Sequence, residues 1–280
     1  MVNHALCMDD GRRLSVGDTV ALLDEALPPA GADQVRIHYV DGYVVVVEKP
    51  PRMMTLRHRA ERGWPAERKA RQPALDEIVP RLLLEREGRR ASRGHRRPRV
   101  YPVHRIDRDT SGLLVFARDE VTQKRLIEQF ARHDVDRVYW AIVPGSVAAQ
   151  TIVSALVRDR GDGLRGSSAD PSSGRRAVTH VQPLESLGEY TLLECRLETG
   201  RTHQIRIHLA ELGHPVCGDP VYRGPVGSAP VSDRSGAPRL ALHAARLGFA
   251  HPANGPPLHC ELPLPRDLHR FVERLRQPGS

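Results

Sequence analysis

The stretch Tyr101-Pro-Val-His-Arg-Ile-Asp-Arg-Asp-Thr-Ser-Gly-Leu-Leu-Val-Phe-Ala-Arg118 changes character half-way along. Leu113 to Ala117 is a short apolar run with the composition of a buried strand. Ahead of it, His104, Arg105, Asp107, Arg108 and Asp109 crowd into six residues, followed by Thr110, Ser111 and Gly112. A charge-dense loop that runs directly into a buried strand is held by that strand, and rigid elements presenting polar loops are where chemistry tends to sit. A surface turn with local ion pairs is the plain alternative for any single loop of this kind. A second polar block downstream, at 198–222, weighs against it.

Working outward, two short apolar runs at 35–40 and 43–48 flank Asp41-Gly42, a tight hairpin signal, and the second run stops at Lys49-Pro50-Pro51. Residues 52–73 are polar and Arg-rich with Pro65 and Pro73, which predicts an irregular loop. Leu75, Ile78, Val79, Leu82 and Leu83 recur at helical spacing over 74–84. Residues 85–99 are basic with Gly, Ser and Pro, the composition of a mobile segment. Downstream, Asp119 is placed to cap a helix over 119–133 whose apolar face is Val121, Leu126, Ile127 and Phe130. Strands are expected at 138–143, 177–183 and 190–197, with a turn-rich loop at 158–175. A helix follows over 202–212, then a loop at 223–238, an apolar run at 240–249 and a last helix at 266–275. Strands outnumber helices and come mostly as hairpins without regular helical crossovers. The fold class is therefore α+β, with a mixed, largely antiparallel sheet flanked by helices and loops.

The chain has 280 residues, enough for one large domain or one domain and a small appendage. Aromatic residues make up 4% against 40% hydrophobic residues overall, so the core must be aliphatic. There is no leader pattern and no apolar run near 18 residues, which predicts a soluble, cytoplasmic protein; a monomer is the default expectation. Cys7, Cys195, Cys217 and Cys260 are scattered, against both a disulfide framework and a zinc ribbon, and Cys195 alternates with Leu193 and Leu197 as a small core residue would. Residues 11–23 read as turn, strand, turn, strand, too short for a core of their own, and 28–34 as a linker.

The net charge of +8 is unevenly spread. Residues 52–108 hold 17 basic and 7 acidic residues, net +10, which leaves −2 for the rest of the chain. A basic segment abutting the Asp107 loop suggests a polyanion delivered to it. With only Lys49, Lys69 and Lys124 as lysines, a general preference for arginine explains the residue type but not the clustering.

In the second block, Thr199-Gly200 follows a strand and Thr202 is placed to cap the next helix. Gly200, Arg201, Thr202, His203 and Gln204 then gather near free backbone N–H groups, an anion or phosphate site. A capped helix start with nothing bound is an equal alternative for this block alone. His203 and His208 are five apart, about 140° round a helix, so with His214 they make a poor metal set, and no metal is expected. A kinase reading of His104-Arg-Ile-Asp107 lacks its glycine-rich loop, and a serine hydrolase at Ser111 lacks the Gly-x-Ser-x-Gly turn. What remains is Asp107 among arginines, a carboxylate expected to stay ionised and able to act as nucleophile or base without a cofactor.

Residues 104–117 closely resemble the catalytic motif of the RluA-type RNA pseudouridine synthases, and 199–209 with 213–222 resemble the same family's later motif. Val47-Glu-Lys-Pro50, Arg137-Val-Tyr-Trp-Ala-Ile-Val-Pro-Gly145 and 242–252 resemble three weaker family blocks, in the family's order, so the likeness covers roughly 35–276. It implies the pseudouridine synthase catalytic fold and isomerisation of uridine to pseudouridine in ribosomal or transfer RNA, with no cofactor. It places the catalytic aspartate on Asp107, the active-site tyrosine that stacks on the base on Tyr139, and the basic residue that pairs with the aspartate on Arg206. His104, Arg105, Thr110, Gly112, Lys49 and the 200–204 run are implied substrate or RNA contacts, with Arg105 the candidate to fill the space left by an extruded uridine. The alternative is an RNA-binding or RNA-folding protein on the same scaffold. Residues 1–30 resemble only the end of the S4-like RNA-binding domain that many members carry. The catalytic domain then spans 35–280, with an Arg-rich insertion at 52–99 that either steers RNA or is neutral.

Overall fold

The computed structural model describes Val20 and residues 30–87, 98–168, 170, 172–253 and 255–277. The S4-like reading of 1–30 and most of the mobile segment read at 85–99 lie outside the described residues. In chain order the elements are β1 (Arg36–Val40), β2 (Val44–Lys49), α1 (Ala66–Arg71), α2 (Leu75–Arg86), β3 (Tyr101–Pro102), β4 (Ser111–Ala117), α3 (Glu120–Arg132) and β5 (Asp136–Pro144). They continue with β6 (Gln150–Val157), β7 (Gly166–Ser167), β8 (Arg175–Leu187), β9 (Tyr190–Leu197), α4 (Gln204–Glu211), β10 (Leu242–Phe249), β11 (Leu258–Glu261) and α5 (Arg266–Arg276). The chain forms two compact units, Pro28–Arg137 with His243–Pro263, and Val138–Leu242 with Leu264–Ser280.

In the first unit the expected hairpin forms: β1 pairs antiparallel with β2 across Asp41, whose Oδ1 accepts the N–H groups of Tyr43 and Val44, each at 2.8 Å. The side chain thereby closes the turn it sits in. β2 pairs antiparallel with β4, β10 runs parallel to β4, and β3 and β11 add short antiparallel edges. Every residue of β4 is buried, as its unbroken apolar run requires. Val44, Val46, Leu113, Val115, Leu126, Leu247 and Phe249 make the core.

α3 is capped as expected, Asp119 accepting the Thr122 N–H at 2.8 Å, and ends on His133 in the left-handed conformation (φ 64°). Its buried face differs from the expected one. Thr122 and Leu126 are buried, whereas Val121 and Ile127 are 60% and 43% exposed. On the buried side Thr122 Oγ1 also donates to Asp119 Oδ2, at 2.6 Å.

Residues 52–73 are not an irregular loop. A 3-10 turn at Arg59–Glu61 and the helix α1 form there, α1 starting just after Pro65, a residue already preset for a helix start. Arg57, one of the supposed steering arginines, is 3% exposed and donates to Glu77 at 3.0 Å and to the Lys69 carbonyl. Part of the segment's positive charge is thus spent on its own folding.

In the second unit, β5, β9, β8, β6 and β7 pair antiparallel in that order. β8 runs four residues past its expected end because a bulge between Pro183 and Glu185 re-registers it on β9. β6 had no sequence signal; its residues are mostly exposed or half-buried and do not alternate. Leu156, Ala177, Ile207, Ala210 and Tyr222 pack a core between this sheet and α4. Cys195 is fully buried, as expected, and burial pushes its thiol up to about 12.

Candidate active site

The loop carrying Asp107 sits in the first unit and is fixed from several directions. The Val115 N–H of β4 donates to His104 Nε2 at 3.1 Å, so the ring holds its proton on Nδ1. The ring stacks on Phe130 at 4.6 Å, and burial, aided by the Arg137 cation, pushes its pKa down to about 3; it is a neutral tether. Lys49, the last residue of β2, is fully buried and donates to the carbonyls of Pro50 (2.9 Å), Met53 (2.8 Å) and Arg108 (2.9 Å). An ammonium is tolerated there because fixed carbonyl dipoles replace its water. Thr55 Oγ1 donates to the Ile106 carbonyl at 2.8 Å and accepts the Ile106 N–H at 3.2 Å. The Thr110 N–H closes a turn on the Asp107 carbonyl at 3.2 Å.

These contacts set the surroundings of two expected contact residues. Lys49 is wholly inside and serves the loop's backbone. Gly112 is a packing residue: its φ is 118°, and a Cβ there would lie 2.2 Å from the Ala244 carbonyl oxygen of the neighbouring β10. Only glycine lets the two strands meet at that point. Arg105 is exposed and Asp107 is half-buried. Thr110 is 1% exposed, and its hydroxyl has no hydrogen-bond partner among the described residues.

The second polar block lies in the other unit and is turned inward. Gln204, 2% exposed, accepts from Thr199 Oγ1 (2.7 Å) and the Arg201 N–H (3.0 Å) and donates to the Val178 carbonyl (2.9 Å) and Thr179 Oγ1 (3.0 Å). Its amide is hydrogen-bonded on both sides by protein groups. Thr202 does not cap α4. The cap position is His203, in the left-handed conformation (φ 61°) with no side-chain hydrogen bond to the helix, and its Nδ1 meets Tyr222 Oη at 2.8 Å. Gly200 is exposed, Thr202 is half-buried, and Arg201 Nε donates to the Arg176 carbonyl at 3.1 Å.

Arg206 is 5% exposed and binds Asp219 through two parallel hydrogen bonds, Nε to Oδ2 at 2.7 Å and Nη2 to Oδ1 at 2.8 Å, with its guanidinium over the Tyr222 ring. Asp219 Oδ1 also accepts the Val221 and Tyr222 N–H groups. His208 lies between Ser154 and Thr179, each 2.9 Å away, and burial pushes it down to about 4. His214 Nδ1 meets the Pro144 carbonyl at 2.7 Å. Each of the three histidines therefore serves its own protein partner. Tyr139 is 8% exposed, on β5 opposite Cys195.

Sequence reasoning missed Thr55, Asp219 and Tyr222. Asp219 was signalled: a buried arginine needs a carboxylate, and Asp219 is the acidic residue of the motif that follows Arg206. Thr55 had no signal, since it falls in a stretch read as an irregular loop.

A family model described as RNA pseudouridylate synthase matches residues 43–211. The ribosomal large subunit pseudouridine synthase D of Xanthomonas campestris pv. campestris is 39% identical over 252 residues, covering 88% of this chain and 71% of its own. The protein named "Uncharacterized RNA pseudouridine synthase YlyB" of Bacillus subtilis (strain 168) is 38% identical over 259 residues, 92% and 77% of the two chains. Among solved structures, human RNA pseudouridylate synthase domain containing 4 aligns with a TM-score of 0.66 at 23% identity over 86% of this chain and 92% of that one, a likeness of fold.

Proposed function

The chain belongs to the RNA pseudouridylate synthase family, and from that premise we propose that it isomerises uridines of large-subunit ribosomal RNA, with Asp107 carrying the chemistry. The carrying observation is the loop: the residues on both sides of Asp107 are pinned by Thr55 and Lys49, while the aspartate itself remains half-buried. A carboxylate held this way is preorganised for one geometry. The names of relatives that match most of this chain support the large-subunit substrate.

The reaction breaks N1–C1′, turns the uracil and joins C5 to C1′; C5 gives up its hydrogen as a proton and N1 takes up a proton, so the product is an isomer of the substrate. Asp107 supplies the carboxylate that starts it, by attack on the sugar or by removal of a sugar proton. Tyr139 and Arg206 are proposed to act with it on the strength of their motifs. Arg206 enters that role already oriented by Asp219. Thr110 brings a buried hydroxyl ready for a polar group of the substrate, which would otherwise cost about 1–3 kcal/mol unpaired. Extruding the uridine costs a few kcal/mol, and exposed Arg105 is the side chain proposed to fill the gap.

The test is to incubate the protein with unmodified transcripts of large-subunit ribosomal RNA and of transfer RNA, then map pseudouridine by carbodiimide adducts that stop reverse transcription. Stops at discrete uridines of the ribosomal transcript are expected. Stops in transfer RNA alone would overturn the substrate assignment.

A further inference from the structure

We propose that Thr55 is a positioning residue for the reaction at Asp107; the inference rests on the assignment of Asp107 as the reacting carboxylate. Thr55 is 4% exposed, and its one hydroxyl serves both backbone polar groups of Ile106, donating to the carbonyl at 2.8 Å and accepting the N–H at 3.2 Å. A side chain thus does for the residue before Asp107 what a neighbouring strand would do. Ile106 is itself 5% exposed, so water is a poor substitute for the lost partner.

Thr55 is held from behind. Its carbonyl accepts the Asp76 N–H at 3.2 Å, Met54 N–H donates to Pro73 at 3.1 Å, and Leu75 N–H donates to Met54 at 2.9 Å. The arm carrying Thr55 is stitched to the start of α2, and the arm beyond it is tied to the same helix by Arg57 N–H on Asp76 Oδ1 at 3.0 Å. On the far side of Asp107, Lys49 holds the Arg108 carbonyl. The two clamps bracket one residue. A displacement near 1 Å of a reacting group costs on the order of 10²-fold in rate. Part of the Arg-rich segment therefore acts on the catalytic loop rather than on RNA.

The experiment measures kcat and KM for tritium release from RNA labelled at uridine C5, with Thr55→Val, Thr55→Ser and Asp107→Asn beside the native protein, well below every unfolding midpoint. Valine keeps the shape and removes the hydroxyl. Expected is a roughly 10- to 100-fold fall in kcat for Thr55→Val with KM within about twofold, and recovery of most of kcat in Thr55→Ser. If Thr55→Val does not fold, Thr55→Cys, of similar size and with only a weak donor, takes its place with the same expectation. Native kcat in a folded Thr55→Val, or a change confined to KM or to the unfolding midpoint, would overturn the proposal. Full activity of Asp107→Asn would instead remove the assignment beneath it.

Discussion

The Asp107 loop and the Thr199–Tyr222 block look alike in sequence, each a dense run of His, Arg, Thr and Gly around one or two acidic residues. They are built in opposite senses. In the loop, polar groups from elsewhere (Lys49, Thr55 and the Val115 amide) bind the loop's backbone and His104, which leaves Arg105 exposed and Asp107 half-buried. In the block, the polar side chains bind one another and the sheet: Thr199, Gln204, Arg206, His208 and Asp219 are all below 6% exposed. The first arrangement presents a group. The second holds its groups by one another, Arg206 by Asp219 among them. Motif density alone therefore does not separate a reacting residue from the scaffold that aims another.

The largest stability effect should come from the inward block. Asp219→Ala leaves the Arg206 guanidinium buried without its carboxylate, and a loss of about 3–5 kcal/mol is expected in urea unfolding. A loss under about 1 kcal/mol would mean that the pair is not a structural hub.

Gly112→Ala probes the root of the loop. The clash with Ala244 and the φ of 118° should each cost about 1–3 kcal/mol. A correctly folded Gly112→Ala protein of native stability would show that β4 and β10 do not need that close approach.

Each region holds one histidine that acid can probe. His104 and His208 are held neutral, with pKa values pushed down to about 3 and about 4 from 6.5. The unfolded chain takes up these protons below about pH 6.5, so the stability they confer is complete above that pH. It is lost as pH falls towards 4, by at most about 1.4 kcal/mol per pH unit for each. Unfolding midpoints compared at pH 7 and pH 5 should fall, and His208→Gln should flatten the slope. An unchanged slope would show that His208 is not a proton-linked group.

The smallest expected effect is at Arg52, which holds a left-handed φ of 64°. Arg52→Gly relieves a cost of about 1–2 kcal/mol, partly offset by the entropy of glycine. A rise of a few degrees or less in the thermal midpoint is expected.

Much of this was legible in the chain. Unbroken apolar runs placed β2 and β4, alternation around Cys195 marked β9, period-3.6 spacing placed α2, and Asp119 announced the start of α3. The motifs singled out the loop itself. Three things were hidden, for physical reasons. β6 lies half-exposed and lacks alternation, so it carries no strand signature. The 52–73 segment folds through ion pairs such as Arg57 with Glu77, which read as solvated charge in one dimension. The inward turn of Lys49 and Gln204 depends on backbone carbonyls and hydroxyls brought from distant parts of the chain, and residue type alone points such groups outward.

The most direct test of the central claim is tritium release from ribosomal RNA labelled at uridine C5, native protein against Asp107→Asn. Forming the C5 glycosidic bond must expel that hydrogen, so the signal reports the chemistry itself. The expected result is release by the native protein and a fall of at least about 10²–10⁴-fold in the variant, with its unfolding midpoint unchanged. Equal release by the two proteins would contradict the account.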